Sequence, residues 1–89
     1  MKQIFAFWYF MNFDPQKLRT AIPAHIAYWE KLAPESFSDG PFRDRSGGLV
    51  LFPADDLDTA ESLCKNDPYV KEGLIEEYFV REWLISHQR

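Results

Sequence analysis

Residues 2–13, KQIFAFWYFMNF, decide the fold. The stretch is dense in β-formers, and both of its alternating sets are apolar: Phe5, Phe7, Tyr9 and Met11 on one side, Ile4, Ala6, Trp8 and Phe10 on the other. A strand of this kind demands cover on both faces. The helices of a small α+β domain cover only one face of its sheet, so the other face is expected to meet a second copy of the chain.

Reading outward, Asp14-Pro15 starts a helix, with Asp as the cap and Pro at the first helical position, where its missing N–H costs nothing. Leu18, Ile22, Ile26, Trp29 and Leu32 then read as one apolar stripe of the 3.6-residue period. His25 falls within that stripe and is expected to face inward. Pro23 predicts a kink, or two helical pieces meeting near Ile22, and Pro34 ends the helix. Glu35 to Arg43 is a strand candidate that leads through Gly40-Pro41 into the polar turn from Arg43 to Gly48. Leu49 to Phe52 is a buried strand stopped by Pro53.

Asp55 to Asp58 offers several helix caps, and Asp58-x-x-Glu61 resembles a capping box beside Leu57, Ala60, Leu63 and Cys64 at helical spacing. Asp67-Pro68 ends this second helix, and Pro68 to Glu72 forms one further turn closed by Gly73. Leu74 to Ile85 is the last strand. The order β-α-β-β-α-β predicts an α+β, ferredoxin-like fold: a four-stranded antiparallel sheet with two helices on one face, as a single domain over residues 1–89.

Composition narrows the function. Ten Lys and Arg against fourteen Asp and Glu give a net charge of −4, the wrong sign for nucleic-acid binding. No apolar run reaches the roughly 18–20 residues of a membrane span, and the apolar start lacks a small-residue cleavage site, so a soluble, cytoplasmic protein is expected. Cys64 is the single cysteine, which excludes an intrachain disulfide and a cysteine-based zinc site, and its helical spacing assigns it to the core. The only other metal-binding imidazole besides His25 is His87, at no ligand spacing from it, so neither metal nor other cofactor is expected. A chain of 89 residues has a thin core of its own, and oligomerisation is the support left to it.

The chain resembles the YCII-related (YciI-like) family of small dimeric α+β barrel proteins. The resemblance rests on Pro23-Ala24-His25 followed by Tyr28-Trp29 and Leu32, on Gly40-Pro41 with Asp44 and Gly47-Gly48, and on Asp67-Pro68-Tyr69-Val70 with Gly73-Leu74 and Trp83. It weakens between Pro34 and Asp39, where a Gly-containing turn and an apolar strand are the commoner pattern. Membership implies sheets packed face to face in a homodimer, in agreement with the doubly apolar first strand. It also implies an active site around a histidine and an aspartate, which map to His25 and Asp67.

Each of these residues also has a plain structural role. An inward histidine is often only a core residue; in the functional reading, an imidazole titrating near about 6.5 both takes and returns a proton at physiological pH. Asp67 suffices as the cap of the turn at Pro68, and the same carboxylate with its two oxygens is able to orient His25. Asp44 is by default a turn residue. Its match to the family assigns it to a pocket rim, with Arg43 or Arg45 holding an anionic group. Gly40 and Pro41 shape the backbone there, and a glycine permits close approach of a small molecule. Among three Trp, four Tyr and eight Phe, the residues Tyr9, Tyr28, Trp29 and Tyr69 are candidates to stack a ring, with Tyr69 assigned to substrate binding.

The expected function is a cofactor-independent lyase or isomerase that works on a small oxygenated or aromatic molecule through a His/Asp acid–base pair. The alternatives are a dimer that binds a small molecule without chemistry and an accessory dimer whose pocket is filled by its own aromatics.

Overall fold

The computed structural model describes residues 2–12, 14–32 and 37–87. Strand β1 (Gln3–Met11) is followed by helix α1 (Pro15–Leu32), β2 (Ser38–Pro41), β3 (Gly47–Ala54), α2 (Leu57–Lys65), the one-turn helix α3 (Pro68–Lys71) and β4 (Ile75–Glu82). The sheet has the order β2-β3-β1-β4 with every pair antiparallel, as the βαββαβ reading predicts. Phe5, Phe7 and Tyr9 of β1 lie with Val50 and Phe52 of β3 in the core, where Trp29 of α1 meets the rings of Phe7 and Phe52. Ala60 and Cys64 of α2 complete that layer. Fully burying one such side chain is worth about 1.5–3 kcal/mol, so these few aromatics dominate the stability of a small domain.

The second apolar set of β1 faces away from the helices. Ile4, Ala6 and Trp8 are half-buried, and Phe10 is 38% exposed. Trp8 stacks on Phe79 across the β1–β4 pair, and Leu49 and Leu51 of β3 extend the same face.

Several local expectations are corrected. The interior stripe of α1 is Ala21, His25 and Trp29, whereas Ile22, Ile26 and Leu32 are 42–44% exposed. The stripe is rotated because a small residue and a partnered polar one, rather than the bulkiest apolar ones, fit against the sheet. Helix α1 runs through Pro23 as one element; Pro23 and Arg19, whose carbonyl it frees, are both exposed, so solvent satisfies that group. The expected stop at Pro34 lies outside the described residues.

Pro53 does not end β3. It pairs in register with Ile4, beyond the last residue of β3 paired with β2, so β3 is an edge strand there and a missing N–H is tolerated. The cap of α2 is Asp56, whose Oδ1 accepts from the Thr59 amide at 2.8 Å, instead of an Asp58–Glu61 box, and Leu57 is exposed. Strand β2 is shorter than the expected span, and β4 stops at Glu82, which leaves Trp83, Leu84 and Ile85 exposed.

Candidate active site around His25

Asp14 caps α1, with its Oδ1 accepting from the Lys17 amide at 3.2 Å. The helix then carries His25 to the sheet with only 2% of its surface exposed. Asp67 precedes Pro68, holds an extended backbone as the cap of α3 and is completely buried. Its Oδ1 accepts from the Tyr69 amide at 2.7 Å. Its Oδ2 accepts from the Trp29 indole Nε1 at 2.7 Å and from His25 Nδ1 at 2.7 Å. One buried carboxylate thus satisfies a helix terminus, an indole and an imidazole, which accounts for its place in an apolar core.

The other imidazole nitrogen has a partner that the sequence reading missed. Asp39 Oδ2 lies 3.0 Å from His25 Nε2. Asp39 is paired with Val50 in the β2–β3 register, which turns its side chain to the helix side of the sheet, where 14% of it remains exposed. The signal was the alternation of a four-residue strand, Ser38–Pro41, too short to read against the turn chemistry of the Gly-Pro that follows.

The imidazole is walled by aromatic rings. Tyr69 stacks flat on it, and Tyr9 meets it edge-on at 6.1 Å between centroids. Tyr28 ties α1 to the last turn of α2 by donating its hydroxyl to the Leu63 carbonyl at 2.6 Å. Burial alone disfavours the charged imidazolium, but the hydrogen bonds and charges of Asp39 and Asp67 outweigh it and push the His25 pKa up to about 9. The expectation of titration near 6.5 is corrected: at neutral pH the ring carries a proton on both nitrogens. Burial, with the nearby carboxylates, raises Tyr69 to about 12 and holds the Tyr9 phenol well above its ordinary range, so both remain neutral.

The structure brings His25, Asp67 and Tyr69 together. Gly40 and Pro41 follow Asp39 on β2, and the Gly40 carbonyl crowds the same point over Gly48 as the Tyr9 hydroxyl. Arg43 and Asp44 lie in the β2–β3 turn, where Asp44 Oδ1 accepts from the amide and the hydroxyl of Ser46. Neither makes a hydrogen bond or ion pair to His25. With Phe10, Phe42 and Ser46 they line an open groove of about 470 Å³ on the sheet face away from the helices. A second groove of about 210 Å³ borders it along Gly40, Phe42, Leu49 and Leu51. No group of three or more His, Cys, Asp or Glu able to hold a metal ion occurs among the described residues, and no helix there is long and apolar enough to cross a membrane.

Comparison with known proteins agrees with this architecture. The fold is similar to that of the 5-chloro-2-hydroxyhydroquinone dehydrochlorinase of Burkholderia phenoliruptrix, solved in complex with 2,5-dihydroxybenzoquinone, with a TM-score of 0.73. The two are 23% identical over 91% of this chain and 93% of that one. No curated protein matches the sequence. The YCII-related domain matches residues 5–84, which contain all three helices, the His25 site and the whole sheet but for Gln3 and Ile4, and the chain belongs to the YCII-related family.

Proposed function

We propose that this protein is a cofactor-independent lyase or isomerase acting on a small oxygenated ring compound, with His25 as its proton-transfer group. The observation that carries the reading is a buried imidazole hydrogen-bonded on both nitrogens to carboxylates, Asp67 inside and Asp39 toward solvent. An imidazolium held in this way passes its Nε2 proton by way of the Asp39 carboxylate, the partner that reaches solvent, to an oxygen that becomes negative as a bond breaks. Asp67 is a positioning residue: both oxygens are occupied and it has no exposed surface with which to touch substrate. The fold neighbour from Burkholderia, described as a dehydrochlorinase with a dihydroxybenzoquinone bound, supports a ring substrate. The test is turnover of hydroxylated and chlorinated hydroquinones, followed by absorbance and halide release. His25→Asn is expected to lower it at least about 100-fold; unchanged turnover in that variant rejects the mechanism.

The proton already on His25 at neutral pH favours a second reading, a binding protein that reads its ligand by hydrogen bonds without chemistry. Calorimetric binding with the ligand recovered unchanged by mass spectrometry distinguishes it. In either case the active unit is a homodimer joined through the sheet face that carries Trp8, Phe10, Leu49 and Phe79, because an apolar face of this kind is a liability on a monomer. Sedimentation is expected to give twice the 10.5 kDa chain mass, and a stable monomer at micromolar concentration rejects it.

A further inference from the structure

We infer that Asp39 sets the charge selectivity of the His25 site, making it accept neutral ligands that offer a hydroxyl donor and reject ligands that carry a carboxylate or phosphate. The inference rests on the reading that a small molecule approaches His25, and it does not depend on whether that molecule is turned over.

A lone imidazolium in a pocket is an anion site. Here both of its N–H groups are already spent on carboxylates, at 2.7 Å and 3.0 Å. One imidazolium against two carboxylates leaves a formal charge of minus one on the array. No lysine or arginine among the described residues pairs with it: the other ion pair there joins Lys2 to Asp55, both well exposed. The remaining walls are the rings of Tyr9 and Tyr69, held neutral by burial.

Of the three members, Asp39 is the one a ligand meets first. Asp67 has no exposure and the imidazole almost none, whereas the Asp39 side chain keeps 14%. It bonds His25 through Oδ2, and its Oδ1 makes no hydrogen bond among the described residues. A phenolic or enolic hydroxyl is a donor suited to that oxygen, and a ring bearing it gains aromatic neighbours. A carboxylate arriving at the same point meets like charge and is repelled.

The experiment is an NMR titration of the His25 ring nitrogens in the full-length chain with catechol, benzoate and phenyl phosphate as probes. Wild type is expected to respond to catechol and not to the two anions. In Asp39→Ala the freed Nε2–H becomes an anion donor, and benzoate affinity is expected to rise at least about tenfold while catechol weakens. The nearly isosteric Asp39→Asn, which removes charge but keeps an acceptor, is expected to shift the preference in the same direction by less, and it serves if the alanine variant fails to fold. Benzoate binding to wild type as tightly as catechol overturns the inference, as does a catechol preference that survives both substitutions or a His25 signal unmoved by catechol. Because these readouts need no turnover, a silent His25→Asn in the catalytic assay rejects the proposed chemistry and leaves the selectivity standing.

Discussion

The ring of His25 lies flat against that of Tyr69, with centroids 4.0 Å apart and planes 7° from parallel. A protonated imidazole over the face of a phenol gains a cation–π attraction of about 0.5–2 kcal/mol, larger when desolvated. Tyr69→Leu is therefore expected to lower the His25 pKa and to destabilise the fold by about 1–3 kcal/mol, whereas Tyr69→Phe keeps the stack and both properties. Nitrogen NMR and urea denaturation on the two variants check it. An unaltered His25 pKa in the leucine variant rejects the assigned attraction.

Asp67 accepts from three donors on its two oxygens, so an amide at that position turns at least one N–H toward an NH₂ group. Asp67→Asn is expected to cost about 2–4 kcal/mol and Asp67→Ala about 3–5, with the His25 pKa falling in both. A loss below about 1 kcal/mol in the alanine variant, measured by denaturant unfolding, contradicts the network.

The raised pKa of His25 makes stability depend on pH. The folded value of about 9 lies above the ordinary 6.5 of an unfolded chain, so the native state binds the proton more tightly. The resulting stabilisation is fully present below about pH 6.5 and is lost as pH rises through about 9, for a total on the order of 3 kcal/mol. Thermal melting between pH 6 and pH 9 is expected to show this decline, and His25→Gln is expected to flatten it. The buried Cys64 and tyrosines, also shifted upward, add to the loss only at higher pH.

Gly47 and Gly48 open β3 directly against β1. A Cβ on Gly47 would stand 1.7 Å from the Tyr9 carbonyl oxygen, a backbone atom that cannot step aside without parting the strands. One on Gly48 would stand 2.5 Å from the Tyr9 hydroxyl, which a rotation of the side chain relieves in part. Gly47→Ala is expected to cost at least about 3 kcal/mol and Gly48→Ala less, with the latter also disturbing the His25 signals through Tyr9. Equal urea midpoints for wild type and Gly47→Ala contradict this.

The sheet topology was legible because its signals are local: alternating apolar residues in β1, Asp-Pro at the starts of α1 and α3, and Gly73 with a φ of +71° where a left-handed residue is needed. The α1 face was misread because size was weighed and partners were not. Ala21 and His25 win the interior over Ile22 and Ile26 through contacts with residues far along the chain, which helical spacing does not contain. Asp39 was invisible for the same reason. Its role comes from the pairing of β2 with β3, and beside Gly40-Pro41 its type reads as an ordinary turn residue.

The partners of the imidazole stand 14 and 42 positions away, on β2 and at the start of α3. Closing those two loops costs entropy that no contact local to His25 repays, so the array is complete only when β2 and α3 are both in place. A nascent chain released before α3, or one clipped in the β2–β3 turn, would carry His25 on an unsupported helix with the titration of a free histidine. The ring nitrogens therefore act as a built-in gauge of complete folding: the chemistry of this site becomes available only to a chain whose edge strand and short helix have both docked.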